Sequence, residues 1–298
     1  MQDYSAGEKE KTTLFLYFFL CINVDYTKCL FPIFIMTSFN FTFFGSGYSI
    51  PHSNRHNTSL FIQSETTDVL IDSNGICGQQ LSRLKIKLSK IKHIFLTHRH
   101  MDHIGALPNL VAQIWLQSVH YADKASQRTE PLHIYANQET IAIVQKLFDV
   151  MDVLAASNMF EIVFHELDDN GGALQIGDIN FEYFPVQHGA TPCLGFVASY
   201  GGRRLVYSAD TEPCDTIYSR LQEGDVLIHE SNFVNQDICP AHTTWLQIKA
   251  MLPDWPKIKT YLVHLPEMAN DVEQAFLKDL ESCGYDVFEA EDGQTITL

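Results

Sequence analysis

Short apolar runs recur along the chain from residue 39 onward, and segments with apolar residues three or four positions apart lie between them. Short runs rich in branched and aromatic side chains are typical of buried strands, whereas the wider spacing is typical of amphipathic helices. The predicted strands lie within 39–44, 60–62, 69–72, 91–96, 132–135, 162–164, 181–184, 195–198, 204–207, 225–229, 260–264 and 287–290. The predicted helices are 81–88, 103–118, 140–153, 243–252 and 270–282.

The order of these elements predicts how they pack. Strands come first and strand–helix units follow, in two halves, which predicts two sheets packed together with helices outside. Turns rich in glycine and polar residues lie at 169–172 and 200–202, and the second predicts a hairpin between its flanking strands. The chain has neither an internal sequence repeat nor a low-complexity linker, so we assign residues 36–298 to one domain.

Residues 1–35 form an N-terminal extension with a different pattern. Its apolar run, 14–22, is shorter than the ~20 residues that a membrane-spanning helix needs. It could be the apolar part of a signal peptide, although no cleavage site of the Ala-x-Ala type follows it. It could also be an added edge strand or a membrane-surface anchor. A third interpretation, which we favour because the first strand begins just after Met36, is that translation naturally starts at Met36.

Composition and charge narrow the class of protein. The 298 residues are 46% hydrophobic and 19% charged, which is ordinary for a globular protein. The formal net charge of −16 argues against a broad phosphate-binding surface, because proteins that bind nucleic acids usually carry a basic patch. The seven cysteines are dispersed and form no CxxC pair, which predicts free thiols in a reducing compartment and therefore a cytoplasmic protein without a membrane partner.

The densest chemistry lies in the segment 97–103, which reads Thr-His-Arg-His-Met-Asp-His and follows the apolar run 91–96. Side chains alternate along an extended segment, so His98, His100 and Asp102 can point to one side. Imidazole and carboxylate are preferred ligands of zinc and similar cations. One ion cannot easily use all four groups, His103 included, from so tight a turn. The segment therefore predicts two adjacent metal ions, ~3.5–4 Å apart as in two-metal hydrolases.

Three more candidate ligands each follow a predicted strand. They are His188, Asp210 and His264. A single histidine at such a place is more often structural than metal-binding. Their occurrence together with the segment 97–103 indicates a shared site.

The pattern His98-x-His100-x-Asp102-His103 resembles the signature of the metallo-β-lactamase fold, and the resemblance covers about residues 38–298. It implies an αββα sandwich of two mixed sheets packed face to face with helices outside. It also implies two divalent metal ions, zinc by expectation and manganese or iron as alternatives. The implied ligands are His98, His100 and His188 for the first ion, Asp102, His103 and His264 for the second, and Asp210 as the bridge.

Two accessory carboxylates also follow from this resemblance. Water shared by two ions ionises with a pKa near ~7, and Asp102 could steer or deprotonate it. Asp72, at the end of a predicted strand, would orient a metal-bound histidine. The alternative for Asp72 is a turn or helix-capping residue.

Several flanking motifs are similar to those of the tRNase Z branch of this fold. They are Phe44-Gly45-Ser46-Gly47 followed by Pro51 and Arg55, the segment 227–233, and Ala241-His242-Thr243-Thr244. By this resemblance His242 would protonate the leaving oxygen, and Glu230 would fix the tautomer of His242. The alternatives are a helix-start residue for His242 and a solvated strand-end carboxylate for Glu230. We expect His229 to be structural, and His52 and Arg55 could line the mouth of the site.

One departure from tRNase Z bears on the substrate. In that group a long arm that grips tRNA lies between the third histidine and the bridging aspartate, but His188 and Asp210 lie only 22 positions apart. We therefore expect a phosphodiesterase that acts on a small or cyclic phosphodiester or a nucleotide, with a homodimer as the assembly to test. The alternatives are an ester, lactone or sulfate-ester hydrolase, a tRNA 3′-end endonuclease, and a non-catalytic RNA-binding module.

Overall fold

A computed structural model describes residues 38–50 and 52–298, which belong to one compact unit. The predictions for residues 1–35, the domain boundary at residue 36 and the motif residue Pro51 lie outside the described residues. Within the described part, none of the helices combines the length and the apolar character that a membrane crossing requires.

The first sheet contains both ends of the described chain. Its seven described strands are β1 (Asn40–Gly45), β2 (Ser59–Gln63), β3 (Asp68–Ile71), β4 (His93–Phe95), β5 (Leu132–Asn137), β6 (Ile162–Leu167) and β14 (Thr295–Thr297). Their order across the sheet is β14-β1-β2-β3-β4-β5-β6. The pairs from β14 to β3 are antiparallel, and those from β3 to β6 are parallel, so the sheet is mixed.

The second sheet repeats this plan with the remaining seven described strands. They are β7 (Gly172–Ile176), β8 (Ile179–Val186), β9 (Cys193–Tyr200), β10 (Arg203–Tyr207), β11 (Val226–Glu230), β12 (Lys259–Val263) and β13 (Val287–Glu289). Their order is β13-β12-β11-β10-β9-β8-β7. The strands from β7 to β10 pair antiparallel, and those from β10 to β13 pair parallel. The predicted hairpin joins β9 and β10.

Helices lie along the chain between the strands. They are α1 (Cys77–Arg83), α2 (Met101–Ile104), α3 (Leu107–Trp115), α4 (Gln138–Val150), α5 (Asp215–Tyr218), α6 (Trp245–Met251) and α7 (Asn270–Ser282), with one π-helical turn, Leu116–His120, directly after α3. Short 3₁₀ turns occupy Leu88–Lys90, Lys124–Ser126 and Leu252–Asp254. At the start of α6, Thr244 and Gln247 form a reciprocal capping box, which fixes where the helix begins after His242.

Two layers of apolar side chains hold these elements together. A cluster rich in aromatic residues fills the space between the sheets, and its members include Phe41, Phe95, Phe181, Phe196 and Tyr261. Separate clusters bury the outer face of the first sheet under α1, α3 and α4, and that of the second under α6 and α7. The predicted αββα sandwich is therefore confirmed.

The strand ends place the chemistry. In both sheets the parallel strands carry polar residues at their carboxyl ends: Asp72 after β3, the segment 97–103 after β4, Asp210 after β10 and His264 after β12. The carboxyl ends of parallel strands meet at one edge of a sheet, where ligands of open α/β sheets bind. The two sheets contribute side chains to the same edge of the sandwich.

The local predictions were wrong in some places. The helix expected at 81–88 lies at Cys77–Arg83 instead, because the chain turns at Lys85, whose φ is +58°. The helix expected at 103–118 is divided, because α2 ends at Ile104 and α3 begins at Leu107, with Pro108 in its first turn. The edge strands β7 and β14 lacked a signal, because they bury few side chains and so alternate weakly.

Candidate metal centre

The first group of candidate ligands is a triangle of imidazoles. Nδ1 of His100 lies 3.0 Å from Nε2 of His98 and 3.0 Å from Nε2 of His188. His98 and His188 are buried, and His100 is half-buried. The three nitrogens converge closely enough to hold one metal ion between them.

The second group lies beside the first and contains Asp102, His103, Asp210 and His264, whose ligand atoms all lie within 4.8 Å of one another. Oδ2 of Asp210 is 3.3 Å from Nε2 of His103 and 3.2 Å from Nε2 of His264. The same oxygen is 3.8 Å from Nε2 of His98, in the first group. Asp210 is therefore placed between the two groups, as a bridging ligand would be.

Buried polar atoms at the centre of this cluster fit metal ions. Nε2 of His103, Nε2 of His264 and Oδ1 of Asp210 are buried and make no hydrogen bond with the described residues. A buried polar group left without a partner costs ~1–3 kcal/mol. Divalent cations would satisfy all three atoms at once, and the His/Asp donor set suits zinc, manganese or iron.

The ionisation states of most candidate ligands also fit metal binding. Burial opposes ionisation of Asp210, but the neighbouring His264 and His103 hold its pKa well below the usual range. Asp102, beside His103, also has a pKa below its usual range despite burial. The pKa of His98 is lowered well below its ordinary value by burial and by His103, which keeps its ring neutral. Metal ions bind ionised carboxylates and neutral imidazoles, which are the forms that these shifts favour at Asp210, Asp102 and His98. At His103 the carboxylates of Asp210, Asp72 and Asp102 outweigh burial and raise the pKa well above its ordinary value, so an ion there would displace a proton.

Asp72 connects the ligands of the two groups. Its Oδ2 accepts a hydrogen bond from Nδ1 of His103 at 2.7 Å and another from Oγ1 of Thr97 at 2.9 Å. Oγ1 of Thr97 in turn lies 3.0 Å from Nδ1 of His98 and accepts its proton. Both imidazoles are therefore held with Nε2 directed at the cluster. This contact fits the orienting role of Asp72. The next helix, α1, has Ile76 as its N-cap and no side-chain cap, so Asp72 does not cap it.

His188 and His100, the other two histidines of the first group, also have contacts at the ring nitrogen that faces away from the cluster. Nδ1 of His188 donates to the carbonyl oxygen of Ala241 at 2.7 Å. Nε2 of His100 lies 3.2 Å from Oγ1 of Thr191. When Nδ1 of His100 binds a cation, the ring proton lies on Nε2 and can donate to Oγ1 of Thr191. Thr191 belongs to none of the sequence motifs, and the motif that contains Ala241 gave no role to its backbone.

We expect the Thr191→Val variant to bind metal at the three-histidine group about tenfold more weakly, in the range typical of outer partners of ligands. Valine keeps the shape of the side chain but cannot accept the proton of His100. The measurement is the affinity for Zn²⁺ in competition with a chelator. Thr191→Ser, which keeps the hydroxyl group, is the control, and equal affinity for Val and wild type would contradict the assigned contact.

His242 and Glu230 form a pair at the edge of the cluster. Nδ1 of His242 lies 2.9 Å from Oε1 of Glu230, which also accepts the backbone N–H of Thr211. The ring of His242 is stacked on that of His264 at 5.1 Å and lies 4.8 Å from the ring of His188. Glu230 is buried, so its interpretation as a solvated carboxylate was wrong.

The environment of this pair shifts both groups away from charge. Burial and the nearby Asp210 carboxylate raise the pKa of Glu230, and burial lowers the pKa of His242. Oε1 of Glu230 is already an acceptor for Thr211, so Nδ1 of His242 donates to it. Nε2 of His242 is then free to contact a molecule bound in the site.

Other polar residues singled out in the sequence lie outside the cluster. Arg55 does not line the mouth: it is buried and bonded to Glu289 at 2.6 Å and to Ser46 at 2.8 Å. His229 is buried and bonded to Tyr218, in line with a structural role. The remaining histidines belong to none of the sequence motifs. Among them, His133 and His165 contact each other at 2.9 Å beside Tyr135, away from the candidate ligands.

The chain is similar to known proteins in family, sequence and structure. A sequence model described as "Anti-Pycsar protein Apyc1" matches residues 39–280. The ribonuclease Z of Thermococcus kodakarensis is 26% identical over 242 residues, covering 65% of this chain and 72% of that protein. The ribonuclease Z of Methanosarcina acetivorans is 24% identical over 305 residues, covering 84% and 95%.

Solved structures show the fold. The metallo-β-lactamase fold protein YhfI from Bacillus subtilis superposes with a TM-score of 0.70 at 20% identity, covering 88% of this chain and 100% of that one. The short form of human tRNase Z gives a TM-score of 0.67 at 23% identity, covering 86% and 98%. A diphosphatase from the PhnP family gives 0.66 at 21%, covering 87% and 97%. The metallo-β-lactamase fold expected from the motif is thus confirmed.

Proposed function

We propose that this chain, which belongs to the anti-Pycsar protein Apyc1 family, hydrolyses a small or cyclic phosphodiester or a nucleotide. It is a metal-dependent hydrolase of the tRNase Z-like group, as its ribonuclease Z relatives and its metallo-β-lactamase fold show. A non-catalytic role is therefore set aside. The substrate, the roles of the individual residues and the number of metal ions are what we propose.

One observation carries the choice of a phosphodiester: the Glu230–His242 pair lies directly against the candidate ligands His188 and His264. Phosphodiester cleavage releases an alkoxide, which needs a proton, and an imidazolium with a pKa near ambient pH is a suitable donor. Hydrolysis of a lactone or an activated ester has less need of such a group. The pair therefore favours a phosphodiester over the alternative ester, lactone or sulfate-ester substrates.

The size of the substrate is inferred from the connection between His188 and Asp210. In this chain β9 (Cys193–Tyr200) and β10 (Arg203–Tyr207) occupy most of that connection as a plain hairpin. No residues remain there for a tRNA-gripping arm. Together with the net charge of −16, this favours a small or cyclic phosphodiester over tRNA. A tRNA substrate is the second candidate, because the matched relatives are named ribonuclease Z.

Each part of the site has a proposed role. His98, His100 and His188 would hold one divalent cation, Asp102, His103 and His264 a second, and Asp210 would bind both. Zinc is the first expectation, with manganese or iron as alternatives. When bound, the ions would supply Lewis-acid stabilisation of the phosphoryl charge and activate water.

The remaining steps fall to side chains. Asp102 would orient the attacking water and accept its proton. His242 would donate a proton to the leaving oxygen, and Glu230 would hold Nδ1 of His242 so that the other ring nitrogen faces the leaving group. Homodimer formation and a cytoplasmic location stay predictions.

A substrate panel tests the proposal. We expect metal-dependent turnover of bis(p-nitrophenyl) phosphate and of 3′,5′-cyclic nucleotides, little turnover of p-nitrophenyl esters and sulfates, and poor cleavage of a precursor tRNA with a 3′ trailer. Chelator-treated protein, with and without added Zn²⁺ or Mn²⁺, is the control. Efficient cleavage of the precursor tRNA would overturn the substrate size, and turnover of the esters alone would overturn the reaction class.

A further inference from the structure

We propose that Glu212 is a positioning residue whose carboxylate aligns His188 and His242 together through the backbone of Ala241. This inference rests on the function proposed above. Glu212 lies two residues after Asp210 but is not one of the candidate ligands, and no sequence motif or resemblance gave it a role.

The contact pattern is a relay through one residue. Oε1 of Glu212 accepts the backbone N–H of Ala241 at 2.9 Å. The carbonyl oxygen of the same Ala241 accepts the Nδ1 proton of His188 at 2.7 Å. Ala241 is followed directly by His242. One alanine backbone therefore connects a candidate metal ligand on one side with the proposed proton donor on the other.

The backbone at this alanine needs support to keep its shape. Ala241 has a φ of +64°, in the left-handed region that is unfavourable for an L-residue other than glycine. Such a conformation persists only where its surroundings hold it. The hydrogen bond from Ala241 to Glu212 is a side-chain contact that fixes this N–H, and it brings in a residue 29 positions away.

Glu212 is itself held firmly enough to act as a support. Its backbone N–H donates to the carbonyl oxygen of Gln187, the residue before His188, at 2.6 Å. The preceding residue, Thr211, accepts the N–H of Gln187 through Oγ1 at 3.1 Å and the hydroxyl of Thr243 through its carbonyl oxygen at 2.6 Å. Residues 211–212 thus hold the segment before His188 and both neighbours of His242.

A positioning role makes a prediction that a merely structural role does not. If Glu212 only stabilised the loop, its loss would lower stability and would reduce turnover of every substrate to the same extent. If Glu212 aligns His242, the fall in turnover caused by its removal should depend on the leaving group. Nitrophenolate leaves without a proton, whereas an alkoxide needs one. If it aligns His188, metal affinity should fall as well.

The test compares Glu212→Ala with Glu212→Gln, since the amide oxygen of glutamine can still accept the N–H of Ala241. At saturating metal, we expect Glu212→Ala to lower kcat about 10–100-fold on a diester with an alkoxide leaving group, such as a 3′,5′-cyclic nucleotide. On bis(p-nitrophenyl) phosphate the loss should be only a few-fold. Glu212→Gln should be close to wild type on both substrates, and Glu223→Ala, at an exposed position, is the matched control.

Zn²⁺ affinity in competition with a chelator provides a readout that needs no turnover. Weaker binding by Glu212→Ala, with binding by Glu212→Gln near that of wild type, would support the relay. Equal losses on both substrates, or wild-type behaviour of Glu212→Ala in both assays, would overturn it. If wild-type protein cleaves no phosphodiester, the proposed function fails. The affinity measurement then still decides whether Glu212 aligns His188.

Discussion

Replacement of Asp210 by alanine is expected to abolish turnover, with a loss of roughly 10³-fold or more in kcat/KM. Among the described residues, Asp210 is the side chain whose oxygen lies near ligands of both groups, at 3.2 Å from His264, 3.3 Å from His103 and 3.8 Å from His98. Its removal takes away the one carboxylate oxygen that lies near all three of these buried imidazoles. Both ions should therefore bind more weakly. The measurement is metal content per chain together with the rate on bis(p-nitrophenyl) phosphate.

Two further variants separate charge from shape at this position. Asp210→Asn keeps the size of the side chain but loses the negative charge, so it should also lose metal and turnover. Asp169→Ala removes an exposed carboxylate from the turn at 169–172 and should change neither. If Asp210→Ala retains two ions per chain and most of its turnover, the assignment of Asp210 as the bridge is wrong.

The local motif could be predicted from the sequence because its geometry is local. His98, His100, Asp102 and His103 lie within six positions after a buried strand, so their nearness in the chain brings them near one another. Alternation described only part of the segment, because Asp102 and His103 lie in α2 and belong to the second group. His188, Asp210 and His264 required a different inference. Each follows a strand, but periodicity does not say which strand ends meet, and the resemblance to the metallo-β-lactamase fold supplied that order.

The supporting contacts could not be predicted, because they depend on backbone atoms and on residues far apart in the chain. Ala241 acts through its carbonyl oxygen and its N–H, and any residue type has both groups. Glu212 looks in the sequence like an ordinary loop carboxylate. Arg55 shows the opposite error: its place in a motif suggested the mouth of the site, whereas its pairing with Glu289 buries it beside the C-terminal strands.

The strands β7 and β14 were not predicted for a similar reason: like the supporting contacts, they depend mainly on backbone hydrogen bonds. Both strands lie at a sheet edge and pair with a single neighbour, and their side chains bury little apolar surface. Hydrophobic pattern detects what is buried, and edge strands are fixed mainly by backbone hydrogen bonds. The candidate ligands instead follow strands inside the sheets, whose apolar runs are strong: the parallel strands β4, β10 and β12, and the antiparallel strand β8 before His188. This is why the candidate ligands could be placed even though the edge strands β7 and β14 could not.

Replacement of His242 by alanine should lower kcat on a 3′,5′-cyclic nucleotide by about 10²–10⁴-fold, the range of general acid catalysis. The loss on bis(p-nitrophenyl) phosphate should be much smaller, because nitrophenolate is stable without a proton. Glu230→Gln should show the same dependence on the leaving group with a smaller loss, since the amide oxygen can still accept the Nδ1 proton but carries no charge. Rates with both substrates at saturating metal provide the measurement, and His120→Ala, at an exposed position, is the control.

Metal content decides between the two roles that the geometry allows His242. Its ring nitrogen lies within 4.8 Å of ligand atoms of His188 and Asp210, so His242 could bind an ion instead of donating a proton. Nδ1 is engaged by Glu230, as expected for a proton donor held in one tautomer. A proton donor can be removed without loss of metal. If His242→Ala loses one ion and its rate falls equally on both substrates, His242 is a metal ligand. The group that protonates the leaving oxygen would then have to be another residue.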